Sequence, residues 1–124
     1  MTSLSTPVAY RMIDLAADFN RRFFNSELHF KVVCFDSRDW DSHKYCKDSL
    51  GMAGRVESEN GYVIFLRIVD GQDEKDRYIQ ETLIHEMAHV SSDIEGHQRP
   101  WKIEMRRLYE SGAPVDVPHD LDYY

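Results

Sequence analysis

A single small α+β domain is the fold class this 124-residue chain predicts, and three observations predict it. Apolar residues recur at helical spacing between Val8 and Phe23, two β-prone runs flank Asn60-Gly61, and a second helical stripe carries His85-Glu86-Met87-Ala88-His89. With 42% hydrophobic and 30% charged residues, the composition suits one compact domain with a modest core. Residues 1–124 are therefore read as one domain, with a core over about 8–112 and an acidic tail over 113–124.

Pro7 suits the first turn of a helix, where its missing N–H costs nothing. Val8, Met12, Leu15, Ala16, Phe19 and Phe23 then keep one apolar stripe to about Phe24. His29 to Phe35 is rich in β-branched and aromatic residues and reads as a strand, whereas Asp36 to Leu50 is polar and reads as a long loop. Met52 to Glu57 and Tyr62 to Ile68 flank Glu59-Asn60-Gly61, and Asn-Gly is a favoured two-residue hairpin turn, so this pair is expected to be antiparallel. With the first strand it makes a small three-stranded sheet. Tyr62-Val63-Ile64-Phe65-Leu66 is apolar on both faces and reads as a well-covered strand.

Ile79, Leu83, Met87, Val90 and Ile94 form one helical stripe and predict a helix from about Glu74 to Ile94. Asp73 is its expected N-cap, and Glu74 and Asp76 place negative charge in its first turn, where the helix dipole favours it. Pro100 can open a closing helix with Trp101, Met105, Leu108 and Tyr109 on one side, stopped by Gly112-Ala113-Pro114. The closing helix is expected to lie over the preceding one. Residues from Val115 to Tyr124, His119 among them, read as a frayed tail, and His43 as exposed in the long loop.

The chemistry concentrates in the second of these helices, on the His85 to His89 segment. An α-helix turns once in 3.6 residues, so imidazoles at i and i+4 leave one face a turn apart and can grip one Zn²⁺ together. At about 100° per residue, both fall nearly opposite the apolar stripe, so core and metal are expected to use different faces. Glu86 lies beside the first ligand, where a carboxylate can act as general base toward water without itself binding the ion. A catalytic zinc keeps three protein ligands and one open position. His97 is the first choice for the third ligand, because Gly96 can take the left-handed conformation that ends a helix and turns the chain back. Glu104 ranks second, and Asp93 and Glu95 follow His89 too closely to reach back easily. The bland alternatives are a chance five-residue pattern on a solvated helix, or a zinc that only staples the fold. A helix-compatible setting with a third donor close behind argues against the first, and the neighbouring glutamate against the second. One zinc per chain is expected, ahead of Mn²⁺, Fe²⁺ or Ni²⁺.

The net charge of −7 opposes strong nonspecific affinity for polyphosphate. Arg21 with Arg22, and Lys102 with Arg106 and Arg107, are the local basic groups, and groups of this size are more often solvated faces than a nucleic-acid groove. No apolar run is long enough to span a bilayer and the N-terminus lacks a basic region followed by an apolar block, so no membrane association is expected. Cys34 and Cys46 are the only cysteines; Cys34 sits within Val32-Val33-Cys34-Phe35 and reads as a small buried thiol. A disulfide framework is not expected, and a cytoplasmic location is.

Phe19-Asn20-Arg21-Arg22-Phe23-Phe24 with Leu28, Gly51-Met52-Ala53-Gly54-Arg55, His85-Glu86-Met87-Ala88-His89 and Gly96-His97 through Trp101 resemble the SprT-like, or Spartan-like, zinc metallopeptidase domain over about residues 8 to 110. The resemblance implies a zincin-like fold of the minigluzincin kind. It also implies hydrolysis of peptide bonds in a protein or peptide substrate, which in the best-known members is a protein crosslinked to DNA. Carried over residue by residue, His85, His89 and His97 become the zinc ligands and Glu86 the base. Many SprT-like proteins continue into a cysteine-bearing zinc ribbon or a basic DNA-binding region, and this sequence contains neither. Two alternatives are therefore kept beside action on DNA-associated proteins: a regulatory peptidase that clips one partner protein, and a zinc-stabilised binding module without turnover.

Overall fold

A computed structural model describes residues 7–36, 53–58, 61–68, 73–92 and 99–115. Helix α1 spans Pro7–Phe24; of its expected stripe Met12, Ala16, Phe19 and Phe23 are buried and Val8 and Leu15 half-buried, and Ala9 and Phe24 are buried as well. The chain leaves α1 through Asn25 and Ser26, both left-handed at φ 53° and 59°. Asparagine tolerates that conformation better than most residues. The side chain of Asn20 then ties down the turn: its Nδ2 donates to the Leu28 carbonyl at 3.1 Å and its Oδ1 accepts from the Leu28 N–H at 3.2 Å. This two-way tie fixes where the first strand begins.

Strands β1 (Phe30–Asp36), β2 (Ala53–Ser58) and β3 (Gly61–Ile68) form a sheet in the order β1-β3-β2 among the described residues. β2 and β3 are antiparallel, with Ser58 opposite Gly61, as the flanking runs predict. β1 lies parallel to β3 on the other side, with Val32 opposite Ile64 and Cys34 opposite Leu66. Those partners share a face, so Val32, Cys34, Ile64, Leu66 and Ile68 make one buried surface. The opposite face of β3, with Val63, Phe65 and Arg67, is half-buried, so the strand is fully covered on one side only. Asp36, expected to open the long loop, instead closes β1; the rest of that loop, with His43 and Cys46, lies outside the described residues.

Gly61 differs from its expected role. It is the first residue of β3 rather than the second residue of the turn, and residues 59–60 lie outside the described residues. The cause is the start of β1: the Tyr62 N–H donates to the His29 carbonyl at 2.9 Å, which draws that carbonyl against Gly61. A Cβ at position 61 would stand 2.2 Å from the His29 oxygen, and the backbone there has φ +113°. Only glycine accommodates both.

Helix α2 spans Arg77–Ser92, beginning later than the Glu74 start that an Asp73 cap predicts. The N-cap is Asp76, whose Oδ1 accepts from the Ile79 N–H at 3.0 Å. Asp73, the expected cap, closes the turn before it by accepting from the Lys75 N–H at 2.9 Å. Ile79, Leu83, Met87 and Val90 are buried as their spacing predicts, and Ile84 and Ala88 are buried as well; Ile94 lies outside the described residues. Helix α3 spans Arg99–Glu110, with Trp101, Met105 and Leu108 in the core. Tyr109, expected on that side, is 48% exposed, since one residue beyond Leu108 turns it toward solvent.

The end of α3 shows how Gly112-Ala113 stops a helix. Gly112 is left-handed at φ +87°, its N–H bonds the Tyr109 carbonyl at 3.1 Å, and the Ala113 N–H bonds the Leu108 carbonyl at 3.0 Å. These are the two crossed bonds of a Schellman motif, with the apolar contact that accompanies it between buried Leu108 and Ala113. Val115 is also buried, so packing continues beyond residue 112. Helices α1 and α2 lie against the sheet, and α3 packs on α2. No described helix is long and apolar enough to cross a membrane.

Candidate metal centre

His85 and His89 converge from successive turns of α2. Their Nε2 atoms are 3.2 Å apart and their ring centroids 4.9 Å apart. Two nitrogens about 2.05 Å from a shared tetrahedral ion would stand about 3.3 Å from one another, so the pair already has the bite a tetrahedral metal requires. With Glu86 they form a group whose ligand atoms all lie within 4.8 Å of one another and could hold a metal ion. Among the described residues no other His, Cys, Asp and Glu group does so.

The histidines leave α2 off its apolar stripe, as their spacing predicts, but the site is enclosed rather than open to solvent. His89 is 2% exposed, Glu86 is 5% exposed, and only His85 is half-buried. For the two histidines the reason is α3, which packs on α2. The Trp101 ring stacks on His89 with centroids 5.3 Å apart and planes 20° apart, and leans on His85 at 5.0 Å and 59°. Sequence reasoning put Trp101 on the inward side of the closing helix but did not pair it with the histidines. The signal was an aromatic in the first turn of a helix expected to close over them.

Glu104, the second-ranked third donor, is engaged elsewhere. The Ser91 hydroxyl donates to its Oε2 and the Arg107 guanidinium to its Oε1, which clasps α2 to α3 beyond the histidine pair. His97, with Asp93 and Glu95, lies outside the described residues, as does His119. His29 is exposed at the start of β1. Of the tyrosines near these elements, Tyr62 packs against the core while Tyr78 and Tyr109 are exposed.

The basic groups are tied to local partners. Arg21 and Arg22 both bond the Asp18 carboxylate, and the Arg22 guanidinium also lies 4.9 Å from the Phe23 ring centroid. Desolvation would raise the Asp18 pKa, but hydrogen bonds from Arg22 and Arg21 and their charge outweigh it and hold the carboxyl below its usual range. Arg107, besides bonding Glu104, lies 5.4 Å from the Phe24 centroid. Around this corner, Phe24, Leu28, Tyr62, Val90 and Glu104 line an open cavity of about 650 Å³. At Cys34, burial pushes the thiol pKa up to about 11, so it is an inert packing group, as its apolar setting predicts.

Comparison with protein-family models, with curated proteins and with solved structures finds no match to this chain. Fold and local geometry therefore carry the functional reading.

Proposed function

We propose that this chain is a zinc-dependent endopeptidase of the SprT-like, zincin kind, with His85, His89 and His97 as ligands and Glu86 as general base. The observation that supports it best is the convergence of the two imidazole Nε2 atoms at 3.2 Å with the Glu86 carboxylate in the same group. Bound zinc would supply Lewis-acid polarisation of the scissile carbonyl and a water acidified to a pKa of about 7. Glu86 takes the proton from the attacking water and passes it to the leaving amine. Its burial, at 5% exposure, keeps competing water away from that proton. The substrate is an extended polypeptide that adds to β2, an edge of the sheet among the described residues and a strand against which α2 packs.

The net charge of −7 and the engagement of Arg21, Arg22 and Arg107 with nearby carboxylates favour recognition of a partner protein over binding of DNA. A second reading, a zinc-stabilised module without turnover, draws on the burial of His89 and Glu86. Elemental mass spectrometry joined to a casein and self-cleavage assay, with and without single-stranded DNA, separates these readings. The peptidase reading expects about one zinc in wild type, retained zinc with lost cleavage in Glu86→Gln, and lost zinc in His97→Ala. Zinc without cleavage under any condition would leave either a peptidase of narrow specificity for one partner or the binding module. Cleavage stimulated by DNA and weakened by salt would restore the DNA-linked substrate.

A further inference from the structure

We infer that Trp101 is the positioning residue of the histidine pair, setting the two imidazoles for the ion before it arrives; this rests on the metal-centre reading above. An imidazole on a helix can turn about its terminal torsion, and that torsion is broad and nearly two-fold, so i and i+4 spacing alone leaves the nitrogens free to diverge. The neighbours set the rotation here. On one flank Trp101 lies nearly parallel to His89 with planes 20° apart, and it meets His85 at 59°, so one indole contacts both rings at centroid distances of 5.3 and 5.0 Å. The rings themselves meet at 62°, with their Nε2 atoms 3.2 Å apart. Flipping His89 would move its Nε2 away from His85, and the indole packed on its face removes the room for intermediate rotations.

Trp101 is itself held. It is 4% exposed, in the first turn of α3, and the clasp of Ser91, Glu104 and Arg107 pins α3 to α2 about one turn further on. The indole therefore stays over the pair as α3 stays on α2. Groups that orient metal ligands typically alter metal affinity 10- to 100-fold when removed, because the ordering they supply must otherwise be provided by the ion.

The test is zinc affinity by competition with a chromophoric chelator, and the visible spectrum of the Co²⁺ form, for the Glu86→Gln parent, in which turnover does not intervene, and for Trp101→Phe, Trp101→Leu and Trp101→Ala made in it. Far-UV circular dichroism checks the fold. The expected result is affinity weakened on the order of 10-fold or more in Trp101→Leu and Trp101→Ala, with a changed Co²⁺ spectrum. Trp101→Phe, which keeps a flat ring, should restore both most of the way. The parent's affinity and spectrum in a folded Trp101→Leu or Trp101→Ala protein would overturn the inference. So would a Phe variant no better than Leu, since a flat ring at that place would then do nothing for the pair. A parent protein that takes up neither ion overturns the metal-centre reading instead, and the inference with it.

Discussion

Gly61 shows how much a single position can carry. Its missing side chain lets the His29 carbonyl come close enough to bond Tyr62, and that contact sets the register between β1 and β3. Gly61→Ala is expected to destabilise the protein by about 2–4 kcal/mol in urea unfolding, since both the contact and the positive φ resist a Cβ; a loss near zero would mean the strands part easily there. Cys34 supplies a pH-dependent counterpart. Its pKa rises from 9.0 to about 11 on burial, so its contribution to stability is fully present below about pH 9 and is lost as pH rises through 11. Between pH 8 and 10.5 wild type should lose about 2 kcal/mol that Cys34→Ala does not lose, as read by denaturation at the two pH values. Both residues were only partly legible beforehand: the apolar run announced a buried thiol, but Asn60-Gly61 read as a turn because nothing local reveals which carbonyl will approach from 32 residues upstream, at His29.

At the scale of elements, the apolar stripes of α1 and α2 and the paired β-runs around residues 59–60 were written in their periodicity, because burying one face is a local demand on spacing. The helix start was not. Asp73 and Asp76 are both good caps, and the choice of Asp76 depends on a turn closed by Asp73, with the Gln80 side chain donating to the Glu74 carbonyl at 2.8 Å. Asp76→Ala should therefore cost about 1 kcal/mol and Asp73→Ala less, as measured by thermal unfolding; the reverse order would return the cap to Asp73. The parallel placement of β1, and the burial of His89, also escaped the sequence. Each depends on an element distant along the chain, β3 for the first and α3 for the second.

For the molecule as a whole, the candidate site is a junction. His85 and His89 come from α2, their cover from α3, and the sheet supports α2 from beneath. An ion held there adds to the stability of the folded state by mass action, by about 2.7 kcal/mol when free metal is 100-fold above its dissociation constant. Chelation should lower the melting temperature of wild type, and have no effect on a His85→Ala, His89→Ala double variant. Equal shifts in both proteins would place the metal elsewhere. The grouping of His85, Glu86 and His89 as a set that could hold a metal ion was legible in their spacing; its enclosure was not, since helical spacing fixes direction around α2 but not what packs there.

The middle strand carries a further consequence, for the order in which the chain folds. β3 meets β2 across a two-residue connection, but meets β1 only after residues 37–60 have been traversed. Closing the short loop is fast and loses little entropy, whereas the long closure must await contacts that reward it. The hairpin and the two helices that follow it are therefore expected to assemble first, with β1 and α1 docking onto them afterwards. Native-state hydrogen exchange should then find β1 amides opening at lower free energy than those of β3; equal protection would argue for a single concerted unit. In a chain synthesised from its N-terminus, the first helix made would be the last to find its place.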